Sequence, residues 1–311
     1  MSDIPPVAIF GFIRPHTTAQ VFARVREARP KRLFLCLDAP RPERPDDLPK
    51  YQEVRAIFDQ VDWPCEVARN YADLNMGCRR RMGSGISWVF EQVEEAILLE
   101  DDCVPAPTFF PFCTELLERY RSDMRVGMIA GHIEHLLPIK KDTSYYFDRM
   151  PTIWGWATWR RAWARFDAEL SDWPRLRDTS FLETVFPGKR GRRRVASYFE
   201  AVHAGKANSW ATAWWLTCLR ESYLCAHPSV NQVTNIGFGS DSAHNARRSC
   251  WHNQPVPPMA FPLIHPREVA PDLAEERRLV NYFYGGMSLP ERAVRRGLRM
   301  VGSAWRQALR S

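Results

Sequence analysis

The stretch Glu95-Ala-Ile-Leu-Leu-Glu100-Asp101-Asp102-Cys103-Val-Pro105 sets an unbroken apolar run against three consecutive acids. Apolar residues without polar alternation read as a strand covered on both faces, the pattern of a parallel sheet. Three carboxylates placed directly after it repel one another and lose hydration unless a cation or hydrogen-bond donors stand beside them. A divalent metal shared between one carboxylate and a diphosphate would supply that positive charge, as magnesium and manganese are commonly held. A solvated acidic turn is the other reading of the triplet, and spacing alone leaves the two open.

Upstream, the same strand pattern recurs. Val7-Ala-Ile-Phe-Gly-Phe-Ile13 is an apolar run ended by Arg14-Pro15, Arg32-Leu-Phe-Leu-Cys-Leu-Asp38 is a second, and 65–70 a third, ending at Asn70. Helical spacing is expected between them: from Thr17 or Thr18, as cap, to about Ala28, then near 50–60, and over 83–93. Alternating strands and helices imply an α/β fold, a mostly parallel mixed sheet sandwiched by helices. Ligands of such sheets sit at the carboxyl ends of the strands, which makes Arg14, Asp38, Asn70 and the acidic triplet candidates. Strand ends are also where chains return to water, so Arg14 or Asn70 taken alone carries little weight.

Downstream, Pro105-Ala-Pro107 turns the chain and Thr108 is expected to cap a helix to Tyr120, followed by a strand over 125–131. Residues 145–167 are dense in aromatics, 209–219 look helical, and 231–245 read as a loop rich in Gly, Ser, Asp and Asn. The proline-rich segment 255–266 reads as extended.

The chain has 311 residues, 45% hydrophobic and 25% charged, the composition of a globular protein able to bury its own core. Its eight cysteines are scattered without a C-x-x-C pair, which argues against a zinc cluster or a disulfide framework. No secretory signal is expected from the first residues and no apolar run is long enough for a spanning helix, so the expected location is the cytoplasm. The net charge of +7 is concentrated: 288–311 holds six arginines against one acid, Glu291, and a second basic run is Lys189-Arg190-Gly191-Arg192-Arg193-Arg194. Such runs point to anionic partners.

The segment from Asn75 to Phe110, which contains Asn75-Met-Gly-Cys-Arg-Arg-Arg81 and the Leu-Glu-Asp-Asp-Cys-Val-Pro run, closely resembles bacterial GT-A-fold nucleotide-diphospho-sugar glycosyltransferases of the family 2-like or haemolysin-like group. It is similar, more distantly, to the N-acetylglucosaminyltransferase I family, whose metal-binding motif is also Glu-Asp-Asp. The resemblance extends to 9–14, 31–41, 154–163 and 208–245. It implies a GT-A domain over 1–250, with a donor half to about 131 and an acceptor half over 132–250. A proline-rich tail over 251–287 and a basic amphipathic helix over 288–311 would complete the chain.

The resemblance also implies roles. Asp102 would be the direct ligand of a Mn2+ or Mg2+ ion, while Glu100 and Asp101 face the ribose and sugar of a nucleotide-diphosphate sugar. Arg14 and Asp38 would lie around the nucleobase and ribose. Among Arg79, Arg80 and Arg81, at the start of a helix whose free amides suit a diphosphate, Arg81 is the expected donor contact. Trp156 and Trp210 are the expected acceptor-side residues, since flat aromatic faces suit sugar stacking, with aromatic core packing an equal alternative for Trp159 and Trp163. Many relatives carry an acid where this chain has Ala211, so the general base must come from elsewhere, and Asp241 is the candidate. His244 is a candidate second metal ligand.

The function implied is metal-dependent sugar transfer, with inversion, to a glycan or lipid-linked acceptor in surface polysaccharide synthesis. Val294, Leu298, Val301, Trp305 and Leu309 fall on one stripe at helical spacing among arginines, a pattern suited to an anionic membrane surface on the inner face. Three rivals remain: a sugar-phosphate nucleotidylyltransferase, whose glycine-rich loop Gly11-Phe-Ile-Arg14 does not provide; a non-catalytic nucleotide- or glycan-binding relative, favoured by Ala211; and nucleic-acid binding, disfavoured because the arginine runs lack interleaved aromatics.

Overall fold

A computed structural model describes residues 3–133, 141–237 and 253–284. Asp241, His244 and the segment 288–311 lie outside the described residues. In chain order the described residues form β1 (Val7–Gly11), α1 (Pro15–Ala28), β2 (Arg32–Leu37), α2 (Asp47–Phe58), β3 (Glu66–Tyr71), α3 (Cys78–Phe90), β4 (Glu95–Glu100), β5 (Cys103–Pro105) and α4 (Phe109–Tyr120). Next come β6 (Val126–Ala130), β7 (Tyr145–Asp148), β8 (Trp156–Trp159), α5 (Arg160–Trp163), α6 (Trp173–Leu176), α7 (Lys189–His203), α8 (Trp210–Arg220), β9 (Leu224–Pro228), β10 (Val233–Asn235) and α9 (Leu273–Phe283).

Eight strands make one sheet in the order β3-β2-β1-β4-β8-β6-β9-β7, while β10 and β5 pair separately. β1 runs parallel to β2 and β4, β2 to β3, and β6 to β9. β8 is inserted antiparallel between β4 and β6, and β7 closes the edge antiparallel to β9. Six carboxyl ends therefore leave the sheet on one side. The fold is α/β, with the mostly parallel mixed sheet that the strand runs imply.

The apolar runs explain the layering. Val7, Ile9, Leu33, Leu35, Ile97 and Leu99 face α1, α2 and α4, whereas Ala8, Phe10, Phe34, Cys36, Ala96 and Leu98 face α3 and α8. Successive strand residues point to opposite faces, so a run without polar alternation fills both cores. α8 is buried on two sides: Trp210, Trp214 and Cys218 pack on the sheet, and Ala213, Trp215, Leu216 and Leu219 pack on a third cluster formed with α6, α7 and α9.

Two expected caps differ. α1 begins at Pro15, and the hydroxyls of Thr17 and Thr18 donate to the Arg14 carbonyl instead of capping. Thr108 stands at the N-cap of α4, but its hydroxyl donates to Gln232 Oε1 at 2.7 Å and accepts from Met259 N. A further difference concerns the proline-rich segment. It does not hang free: Met259 and Leu263 are buried in the main core, and α9, which the sequence pattern did not disclose, buries Leu279 and Val280 in the third cluster. Asp272 caps α9, accepting from Ala274 N and Glu275 N, and an ion pair between Arg149 and Glu276 ties the helix to the end of β7. The seven described cysteines are free thiols.

β7 is fastened to β9 by a buried pair, His227 Nε2 to Asp148 Oδ1 at 3.0 Å, with the imidazole stacked on Tyr146. Burial opposes the charged imidazolium, but the Asp148 carboxylate outweighs it and raises His227 to about 10. A histidine whose folded value is raised contributes stability fully below about pH 6.5 and loses it as the pH climbs through the folded value. Stability to urea is therefore expected to decline from about pH 6.5 toward 10 in the wild type, and His227→Gln to flatten that decline. Parallel pH profiles in the two proteins would contradict this assignment.

Candidate functional site

The carboxyl ends of β1 and β4 are neighbours in register, Phe10 opposite Glu100, so the residues leaving one strand meet those leaving the other. After β1, Pro15 starts α1 and the Thr17 and Thr18 hydroxyls hold the Arg14 carbonyl, which fixes the arginine at the helix entrance. After β4 come Asp101 and Asp102. Arg14 bridges them: Nη2 donates to Asp101 Oδ1 and Nη1 to Asp102 Oδ2 at 2.5 Å. Asp101 Oδ2 also accepts from Phe12 N at 3.1 Å, so both oxygens of this buried carboxylate are satisfied.

Asp102 is held from the opposite side by β10. Asn235 Nδ2 donates to Asp102 Oδ1 at 3.2 Å, the Cys103 thiol donates to the same oxygen at 3.4 Å, and Ile236 N donates to the Asp102 carbonyl. Gly237 lies so close that a Cβ there would sit 1.9 Å from Asp102 Oδ2, a position only glycine can fill. Glu100 differs from both aspartates: its Oε1 is shielded from solvent and has no hydrogen-bond partner among the described residues. One guanidinium thus faces three carboxylates.

These surroundings shift the protonation of each group. Burial, then the charge of Asp102, raises Glu100 to about 8. Asp101 is also raised, by burial first, although Arg14 pulls it back. Burial disfavours the charge of Arg14, yet Asp101 and Asp102 outweigh it and hold the guanidinium firmly protonated. Cys78, at the first residue of α3, is pushed to about 12 by burial and the nearby Glu100, so it is a thiol and not a nucleophilic thiolate.

The structure brings Arg14, Glu100, Asp101 and Asp102 together and uses the other candidates differently. Asp38 is buried and spends its carboxylate on backbone amides, Oδ1 accepting from Met76 N and Oδ2 from Gly77 N, each at 2.9 Å. It steadies the positive entrance of α3 as an acid at a helix N-terminus does. The next turn is taken too, since Arg79 N donates to Asn208 Oδ1 at 3.1 Å. The amides expected to be free for a diphosphate at Met76, Gly77 and Arg79 are therefore engaged within the protein.

Arg81, expected to face a donor, is buried and donates Nε to the Leu37 carbonyl at 3.0 Å and Nη2 to the Asn70 carbonyl and Oδ1. It gathers carbonyls at the ends of β2 and β3, an internal use. Arg79 likewise ties α3 to the Val202 carbonyl and Glu169, whereas Arg80 is exposed.

Trp156 and Trp210 are corrected as stacking platforms. They are 1% and 2% exposed and stack on each other at 5.9 Å, inside a cluster with Trp163 and Trp214. A sugar needs an open ring face, and core packing has covered these. Sequence reasoning missed Asn235 and Gly237, whose signal was the Asn235-Ile-Gly237 spacing at the start of the loop. Among the described residues no three His, Cys, Asp or Glu side chains are grouped to hold a metal, and no helix is long and apolar enough to cross a membrane.

No family model and no curated protein matches the chain. Solved structures that resemble it include the galactosyltransferase LgtC in complex with donor and acceptor sugar analogs, at 10% identity and a TM-score of 0.37, over 93% of this chain and 99% of that one. Another is the glycosyltransferase GlyE of Streptococcus pneumoniae, at 10% identity and 0.33, over 72% of this chain and 45% of that one. A third is 4-diphosphocytidyl-2C-methyl-D-erythritol synthase of Anaerococcus prevotii, at 12% identity and 0.34, over 54% and 77%. Likenesses at these scores carry no argument about what the chain does.

Removing the shared cation should be felt at once. Arg14→Met leaves Asp101 buried beside two other acids, and a loss of about 2–4 kcal/mol in urea unfolding is expected, somewhat below the cost of breaking a fully buried pair. Arg14→Met combined with Asp101→Asn should recover part of it; a double variant as weak as the sum of its parts would show that the bridge is not the cause. Glu100→Gln should act oppositely. An acid raised to about 8 makes the wild type lose stability as the pH rises from about 4.5 through that value. The glutamine variant should gain over wild type across that window, and equal thermal unfolding at pH 5 and pH 9 would refute it.

Proposed function

We propose that this chain is a nucleotide-sugar-dependent glycosyltransferase whose donor site lies at the carboxyl ends of β1 and β4. The observation that carries this reading is the convergence of Arg14, Glu100, Asp101 and Asp102, which leaves a surplus of buried acid and an unpaired Glu100 Oε1. Asp38, by contrast, has both carboxylate oxygens matched by backbone donors within the protein. An unmatched one is a place for the hydroxyls of a ribose or sugar to donate.

The residues also fit a divalent ion. Asp102 keeps slight exposure, with its oxygens shared among Arg14, Asn235 and the Cys103 thiol, while Asp101 is fully buried on Arg14 and Phe12 N. A Mg2+ or Mn2+ ion would take Asp102 as its protein ligand, its other positions being filled by the donor diphosphate and water. Bound there, it supplies positive charge for the departing diphosphate. Arg14 orients Asp102 from one side, Asn235 and the Gly237 backbone confine it from the other, and Asp101 fixes Arg14. The acceptor hydroxyl needs a base, and in this reading Asp241 takes its proton, with His244 a second contact to metal or phosphate. The acceptor is a glycan or lipid-linked sugar, and the product has inverted configuration.

Ala211 lies in the first turn of α8 and offers no carboxylate, which favours a second reading in which the chain binds a nucleotide without transferring its sugar. Donor hydrolysis in the absence of acceptor would set that aside.

The deciding experiment is calorimetric titration with UDP, GDP, CDP and dTDP, with and without manganese, on wild type and Asp102→Ala. Manganese-dependent binding of one nucleotide, weakened at least about tenfold in the variant, is the expected result. A folded wild type that binds none of the four would overturn both readings.

A further inference from the structure

The basic run of residues 189–194 opens α7, and the helix buries one face and exposes the other. Gly191, Val195, Phe199 and Val202 turn inward, with Gly191 against Tyr284 and Phe199 against Trp215. Lys189, Arg190, Arg193, Arg194, Ser197 and Tyr198 are exposed, Tyr198 to 38%. Arg192 is drawn back to the Phe186 and Pro187 carbonyls and Glu183, and Arg194 to Tyr198 and the Phe283 carbonyl. Lys189, Arg190 and Arg193 have no partner among the described residues.

Their position is electrostatically unfavourable for the isolated fold. The amino-terminal end of a helix is its positive end, where acids stabilise and bases do not. The first turn of α7 holds no acid, and Gly188 supplies no side-chain cap. Among the described residues nothing in the packing of α7 needs or pairs these three cations, which leaves them open to an anion.

A second observation points the same way. The end of α9 is fastened to this turn through the Phe283 carbonyl and Tyr284. The sequence beyond Tyr284 carries the other basic run, Arg292, Arg295, Arg296, Arg299, Arg306 and Arg310. The described chain therefore ends beside the basic turn of α7, with the second basic run still to follow in the sequence.

We propose that the outer face of α7 is a docking surface for an anionic phospholipid bilayer. Lipid is favoured over nucleic acid because Tyr198 places an amphipathic ring among the cations, as residues at lipid interfaces do, whereas nucleotide bases call for several stacking aromatics. The apolar stripe within 288–311 is suited to the same interface. This inference does not depend on the transfer reading and holds for a binding protein equally.

The test is co-sedimentation of the full chain with vesicles of phosphatidylcholine and phosphatidylglycerol, against phosphatidylcholine alone, at low and high salt. Wild type should partition onto the anionic vesicles only, and release with salt. The variant Lys189→Ala, Arg190→Ala, Arg193→Ala should keep its melting temperature and partition about 100-fold less. Arg190→Lys with Arg193→Lys should behave as wild type. Undiminished partition of the triple alanine variant would overturn the proposal, as would release of vesicle-bound wild type by stoichiometric single-stranded RNA.

Discussion

One guanidinium shared by two carboxylates is the interaction on which the rest of this end of the molecule depends. Arg14 exists in that position because Pro15 and two threonine hydroxyls fix the start of α1, and because β1 and β4 are adjacent and in register. Without it, three acids would sit at the end of a buried strand with one backbone amide, one carboxamide and a thiol among the described residues to balance them. With it, Asp101 becomes an internal strut, Asp102 is held between Arg14 and Asn235, and Glu100 is the member of the triplet that keeps an oxygen no described residue meets. The division of labour among three adjacent acids is set by their surroundings, since their chemistry is nearly the same.

The neighbouring strand ends show the contrast. Asp38 and Arg81 carry full charges, and each is matched internally, Asp38 by the amides entering α3 and Arg81 by the carbonyls leaving β2 and β3. Together they close the end of that half of the sheet as a rigid surround. A charged residue at a strand end is thus either a closure of the fold or an opening to a ligand, and satisfied hydrogen bonds distinguish the two.

That distinction explains what the sequence made legible. The strands, their direction and the acidic triplet are local signals: run length, lack of alternation and the residue after each run. Arg14 and the triplet were legible because strand order makes adjacent ends meet. Asp38 and Arg81 were candidates for the same reason, and nothing local records that their partners lie 11 to 44 residues away in the chain. Trp156 and Trp210 were read from the chemistry of indole, which serves a core as well as a sugar; only the packing of α8 between two layers decides. The proline-rich stretch read as extended because its prolines interrupt any helical pattern, yet two of its residues, Met259 and Leu263, suffice to seat it. α9 escaped notice because its apolar face is narrow and its hold is partly ionic, through Glu276 and Arg149.

The seating of residues 253–284 has a consequence for synthesis. Met259 and Leu263 complete the core under α4, and α9 completes the one around α7 and α8. Asn235 and Gly237, which confine Asp102, also arrive late. Chains fold as they leave the ribosome, amino-terminal parts first. β1 to β4 can thus pair long before the pieces that seal both cores have been made, and the acids after β4 wait half-assembled until nearly the whole described chain has emerged. The described part of the site is completed only once Asn235 and Gly237 have been made, although its signature residues are among the first translated.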